Sequence, residues 1–168
     1  MNVCWMVDYS TLSIILTGIG IIVAITYYTL TLRNSNKTRE QQIFMNIVQS
    51  LNSEENMKTW AELINADFTD YDDYMTKYDS SINPEHFGKR GAIWWNYNSV
   101  GYLLMDGNVS INLVYQLLGI LAVLQWRKWG DIILEIREKE DLPRYFHGFE
   151  YLVNEILKYE IEHPELTT

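Results

Sequence analysis

From Tyr9 to Leu32 the chain reads YSTLSIILTGIGIIVAITYYTLTL, 24 residues without a charged side chain, bounded by Asp8 and Arg33. As a helix this run rises about 36 Å at about 1.5 Å per residue, against a bilayer hydrocarbon core of about 30 Å. A surface helix of a soluble domain keeps a polar face toward water, and this run has no charged one. The expectation is an all-α chain: one N-terminal transmembrane helix, then a compact cytoplasmic helical bundle of about five to six helices. Its parts are a short extracytoplasmic segment at 1–8, the span at 9–32, a polar juxtamembrane neck at 33–42, the helical domain at 43–163 and a tail at 164–168.

The run differs from a cleavable signal peptide, which has a basic start, a shorter apolar core and a small-x-small cleavage site. Here Asp8 precedes a longer run that closes on Tyr27 and Tyr28, so it is expected to stay attached. Arg33, Lys37 and Arg39 follow the span and no Lys or Arg precedes it. The positive-inside rule then places the N-terminus outside and the large domain in the cytoplasm, at a plasma membrane. Trp5 and Tyr9 at one end, and Tyr27 and Tyr28 at the other, suit the two interfacial aromatic belts. Ser13, Thr17, Gly20 and Ala24 recur at helical spacing and form one small-residue stripe. Such stripes let helices approach closely, although Gly and Thr are common in membrane helices for other reasons.

Beyond the span, 21 acidic residues stand against 10 basic ones, a net charge of −11 from Glu40 onward. That balance argues against nucleic acid as a partner, because phosphate backbones are held by clustered Lys and Arg. Cys4 is the only cysteine, so no internal disulfide or multi-cysteine metal site exists. It reads either as a small interfacial residue or as a disulfide to a second subunit on an oxidising side.

The apolar pattern resumes at Ile43, Phe44, Ile47, Val48 and Leu51, so the membrane helix is expected to run on to about Asn52, with room for a break near 34–36. Ser53 followed by Glu54 and Glu55 reads as an N-cap with acidic residues in the first turn. Thr69 or Asp70 is expected to cap a short helix carrying Tyr71, Tyr74 and Tyr78. Asn83-Pro84 opens a helix from about Pro84 to Met105. No charge occurs between Asp106 and Arg127, but Asn112, Gln116, Gly119 and Gln125 interrupt that stretch, the first three along one expected polar face at i, i+4 and i+7. It is therefore expected as a buried helical segment broken near Gly119 rather than a second span, and its continuation ends near Glu140. A last amphipathic helix is expected over about Pro143–Glu162.

No phosphate-binding loop, dinucleotide glycine fingerprint or zinc-protease motif occurs, and the sequence calls for no catalytic group, metal or cofactor. Asp67, Asp70, Asp72, Asp73 and Asp79 crowd the stretch before His86, either as a solvated capping loop or as a carboxylate and histidine site. The cluster lacks the Ca²⁺-loop grammar, because Met75 stands where that loop needs glycine and Ser81 where it needs glutamate. Trp94, Trp95 and Tyr97 are core residues by their spacing or, since aromatics anchor interfaces, a candidate partner surface.

The opening DYSTLSIILTGIGIIVAITYYTLTLRNSNKTREQQ, the segment FTDYDDYMTKY and the Trp-rich WRKWGDIILEIRE resemble a family of uncharacterised bacterial and archaeal membrane-anchored proteins, described only as a domain of unknown function. The resemblance implies one amino-terminal span with a cytoplasmic helical domain, and it brings no reaction or ligand. The expected function is membrane-anchored assembly, regulation or protein–protein interaction, with the bilayer and either a second copy or another protein as partners. The alternatives are a membrane-tethered enzyme using the 67–86 loop, and a small accessory subunit of a membrane complex.

Overall fold

The computed structural model describes residues 8–166. Every regular element among them is helical: α1 (Tyr9–Leu51), α2 (Glu54–Ile64), α3 (Tyr71–Tyr78), α4 (Pro84–Met105), α5 (Ile111–Lys139), α6 (His147–Glu162) and a closing 3₁₀ turn, Pro164–Leu166. The chain divides into two compact units, one ending at Arg39 and one beginning at Glu40, with α1 running through the boundary.

The break anticipated near 34–36 does not occur. The three prolines all come later, so no neck residue lacks an amide donor, and Lys37, Arg39, Glu40 and Gln41 are good helix formers. Thr38 Oγ1 donates to the Asn34 carbonyl at 2.9 Å across that same stretch.

From Glu40 onward the helices enclose one core. The tail of α1 gives it Phe44, Val48 and Leu51, α4 gives Ile93, Trp94, Tyr97 and Val100, and α6 gives Phe149, Leu152 and Ile156. Between them α5 supplies Val114, Leu118, Ala122, Trp129 and Ile133. Two anticipated caps are in place, Ser53 accepting from the Asn56 amide and Asp70 from Asp73, and Asn83 adds a third by accepting from His86. Ser110 adds a fourth, accepting from the Leu113 amide at the start of α5.

Three expectations need correction. Helix α5 passes Gly119 unbroken, since one helical glycine costs only about 1 kcal/mol against alanine. Gly119 is also buried beside Tyr115, not on the exposed face with Asn112 and Gln116. Helix α6 starts at His147 rather than Pro143, because Phe146 takes a left-handed conformation with φ 49° and ψ 34°. Rings hold it there: Phe146 is 3% exposed and packs against Trp94, Trp95 and Tyr145 at centroid distances of 5.4, 4.9 and 4.4 Å.

A phenylalanine N-cap has no side-chain acceptor, and α4 supplies one. Asn98 Oδ1 accepts from the buried Phe149 amide at 3.3 Å, a second acceptor beside the Phe146 carbonyl at 3.1 Å in the first turn of α6. Where the two helices meet, Gly101 and Gly148 face one another. A Cβ on Gly101 would lie 1.8 Å from the Gly148 carbonyl oxygen, so the backbones touch where side chains ordinarily intervene. Polar ties complete the bundle: Trp60 Nε1 donates to the Leu121 carbonyl, the buried Gln125 donates to the Trp60 carbonyl, and Arg137 joins Glu150 at 2.6 Å.

Candidate functional site

Two regions hold the residues with functional interest, one in each unit. In the first unit every described residue from Asp8 to Arg39 is exposed. Its helix contains an 18-residue window of mean hydropathy 1.9 of which none is buried. It is the one helix among the described residues long and apolar enough to cross a membrane. Three of its hydroxyls are satisfied along the helix itself: Thr17, Thr26 and Thr29 each donate to the carbonyl four residues back at 2.8 Å. Bonds of this kind remove the need for water around an otherwise apolar surface. A Cβ on Gly20 would meet nothing within 4 Å, so the stripe of Ser13, Thr17, Gly20 and Ala24 is open. Tyr9, Tyr27, Tyr28, Arg33, Lys37 and Arg39 are exposed as well, while Trp5 and Cys4 lie outside the described residues.

In the second unit four of the five clustered aspartates are engaged by side chains or backbone, three of them locally. Asp70 caps α3, and Asp73 accepts from the Thr69 amide and pairs with Lys77 at 2.9 Å. Asp79 accepts from Ser81, and Asp72 meets Lys139 at 3.5 Å. Among the described residues no three potential metal ligands gather. His86 does not join the carboxylates. It is 5% exposed, stacks on Tyr78 at 4.2 Å and faces Trp129 at 5.8 Å, and both ring nitrogens are buried without a hydrogen-bond partner.

Of the three aromatics marked as a candidate partner surface, Trp94 and Tyr97 are 0% exposed and belong to the core. Their spacing on α4 turns both toward the bundle. Trp95, one position on, is 58% exposed and alone of the three can meet a partner.

The feature that sequence reasoning passed over is Arg90. His86, Arg90, Ile93, Tyr97 and Val100 alternate by four and three residues and are all buried, so Arg90 puts a charge in the apolar stripe of α4. That interruption is visible in the sequence. Its guanidinium lies over the rings of Tyr74, Phe87 and Trp94 at 5.1, 5.2 and 5.1 Å. It makes one long hydrogen bond, 3.4 Å, to the Tyr78 carbonyl at the end of α3, and no described carboxylate lies within ion-pair distance. Beside it a cavity of about 330 Å³ is lined by Tyr71, Tyr74, Asp79, Phe87, Leu142 and Tyr145, among others. Burial raises the Tyr74 hydroxyl to about 12 and raises Tyr145, so both stay protonated donors at neutral pH.

Burial, followed by the nearby Arg90 charge, lowers His86 from its ordinary 6.5 to about 4. Between those values the unfolded chain binds a proton that the folded one does not, so stability falls as pH falls through that window. The loss should approach about 3 kcal/mol by the lower end and then level off, as far as this group is concerned. Urea denaturation between pH 7 and 4.5 checks it. His86→Phe, which keeps the ring stack, should flatten the dependence in that range.

A family model described as Domain of unknown function (DUF4760) matches residues 14–156. No curated protein and no solved structure matches the chain.

Proposed function

Taking as premise that the chain belongs to the DUF4760 family, we propose a single-pass membrane protein whose helical domain works by binding in assembly or regulation rather than by catalysis. Residues 9–32 of α1 span the bilayer, the N-terminus lies outside, and the domain from about residue 43 sits in the cytoplasm. The observation that carries this reading is the apolar stretch of α1, none of which is buried by the chain itself. A core helix of a soluble protein would be covered, and an uncovered apolar surface of this size needs another cover. The family match supports it further, because it begins within the apolar run and continues into α6, as expected when helix and domain belong together. Exposed Arg33, Lys37 and Arg39 are placed for lipid headgroups at the inner face. The open small-residue stripe suits contact with a second span, from another copy or another membrane protein.

The test uses the full-length chain with a C-terminal tag. It should stay in the pellet of carbonate-washed membranes, and protease should remove the tag from inverted vesicles but not from right-side-out ones. Release by carbonate would overturn the span, and the opposite protease pattern would overturn the orientation. In mild detergent the protein should run as an oligomer or a defined complex that Gly20→Leu weakens. A strictly monomeric protein without a co-purifying partner would count against the binding role.

A further inference from the structure

The chemistry of the Arg90 cavity can be read from its lining. Arg90 is 3% exposed, and the one carboxylate whose charge acts on it, Asp79, lies beyond ion-pair distance, so its direct contacts are ring faces and one long bond to a carbonyl. Burying a guanidinium away from a carboxylate is costly, and ring faces return only part of the cost. A planar fork with five donors and one used is a receptor for an oxyanion. The hydroxyls of Tyr71, Tyr74 and Tyr145 bond to no described side chain, and the Arg90 charge acts on those of Tyr74 and Tyr145. Cation and neutral donors thus converge on one cavity.

The rest of the lining narrows the class. Phe87 and Leu142, 44% and 47% exposed, give the cavity an apolar wall, which suits a carbon body more than a bare inorganic ion. Asp79 and Glu140 also line it, so the site carries one positive against two negative groups and resists ligands with several negative charges. Asp79 is turned to its own loop, where it accepts from the Ser81 amide at 2.8 Å.

We propose that this cavity binds a small organic monocarboxylate, its carboxylate on the Arg90 guanidinium and its apolar body between Phe87, Leu142 and the tyrosines. The site lies wholly in the helical domain, so it holds or fails independently of the membrane reading.

Benzoate and inorganic phosphate are titrated separately into the full-length protein in detergent, followed by calorimetry and by thermal unfolding. Benzoate should bind saturably and raise Tm, and phosphate should not. Arg90→Gln should weaken benzoate binding by about ten- to a hundredfold, the weight of a hydrogen bond to a charged group. Because that variant removes a buried side chain, Ser80→Trp serves as the second: Ser80 is exposed and lines the cavity, so the indole should block it without disturbing the core. The proposal is overturned by no benzoate binding at about 10 mM, far weaker than the micromolar-to-millimolar range of ordinary small ligands. It is overturned equally by phosphate binding in preference to benzoate, or by benzoate binding that survives Ser80→Trp.

Discussion

Gly148→Ala is expected to destabilise the helical domain by about 3 kcal/mol or more, although it adds one methyl group. The new Cβ would lie 2.4 Å from the Asn98 carbonyl oxygen and 3.0 Å from Asn98 Oδ1. The nearest atom is backbone, so no side chain can rotate away, and α4 and α6 must separate. Separation would also pull Asn98 from the Phe149 amide, which would keep only its bond to the Phe146 carbonyl. Gly101→Ala meets the same obstacle from the other side, at 1.8 Å from the Gly148 oxygen. With a whole-domain stability of about 5–15 kcal/mol, either change removes a large fraction of it. Gly88→Ala is the control: it is exposed in the same helix α4, nothing lies within 4 Å of its added Cβ, and alanine favours the helix by about 1 kcal/mol. Denaturant unfolding should therefore move in opposite directions for two chemically identical substitutions. If Gly148→Ala behaves like Gly88→Ala, the close approach of α4 and α6 is wrong.

Trp129→Ala should cost about 3–5 kcal/mol, the range for emptying a large aromatic from a core. Trp129 is 0% exposed and its ring meets Trp94 at 5.3 Å, Tyr74 at 6.1 Å, Tyr78 at 6.4 Å, His86 at 5.8 Å and Phe68 at 4.7 Å. Those partners come from α3, α4 and the connection before α3, so one truncation loosens three segments at once. Trp129→Phe should cost much less, because the indole Nε1 has no partner to lose. Trp95→Ala, at an exposed position on α4, should cost only about 1 kcal/mol, the weight of its single ring contact, with Phe146. Urea midpoints and near-ultraviolet circular dichroism of the three variants check the ranking. Equal losses for Trp129→Ala and Trp95→Ala would refute this placement of the core.

Local signals carried much of the architecture. Serine and aspartate caps marked where α2 and α3 begin, and the Asn83-Pro84 pair marked α4, because each signal acts through the adjacent chain alone. The start of α6 escaped the same reading. Its cap residue is a phenylalanine held in a left-handed turn by rings from α4, and its acceptor is Asn98, also from α4. Gly119 was legible as a glycine but not as a harmless one, since its tolerance depends on α5 being buried on both sides of it. Arg90 was legible as a charge in an apolar stripe, whereas its lack of a carboxylate partner was not.

By itself, then, the sequence determined the helical class, the uncharged run from Tyr9 to Leu32, the acidic balance of the domain and most helix starts. Each depends on composition or on neighbours within about one or two turns. Only the tertiary structure decided that Gly101 meets Gly148, that Trp94 and Tyr97 are buried while Trp95 is not, and that Arg90 borders a cavity. Those facts depend on which faces of distant helices meet and how closely. Helical periodicity tells which side of a helix is apolar, but the partner on that side is chosen by packing.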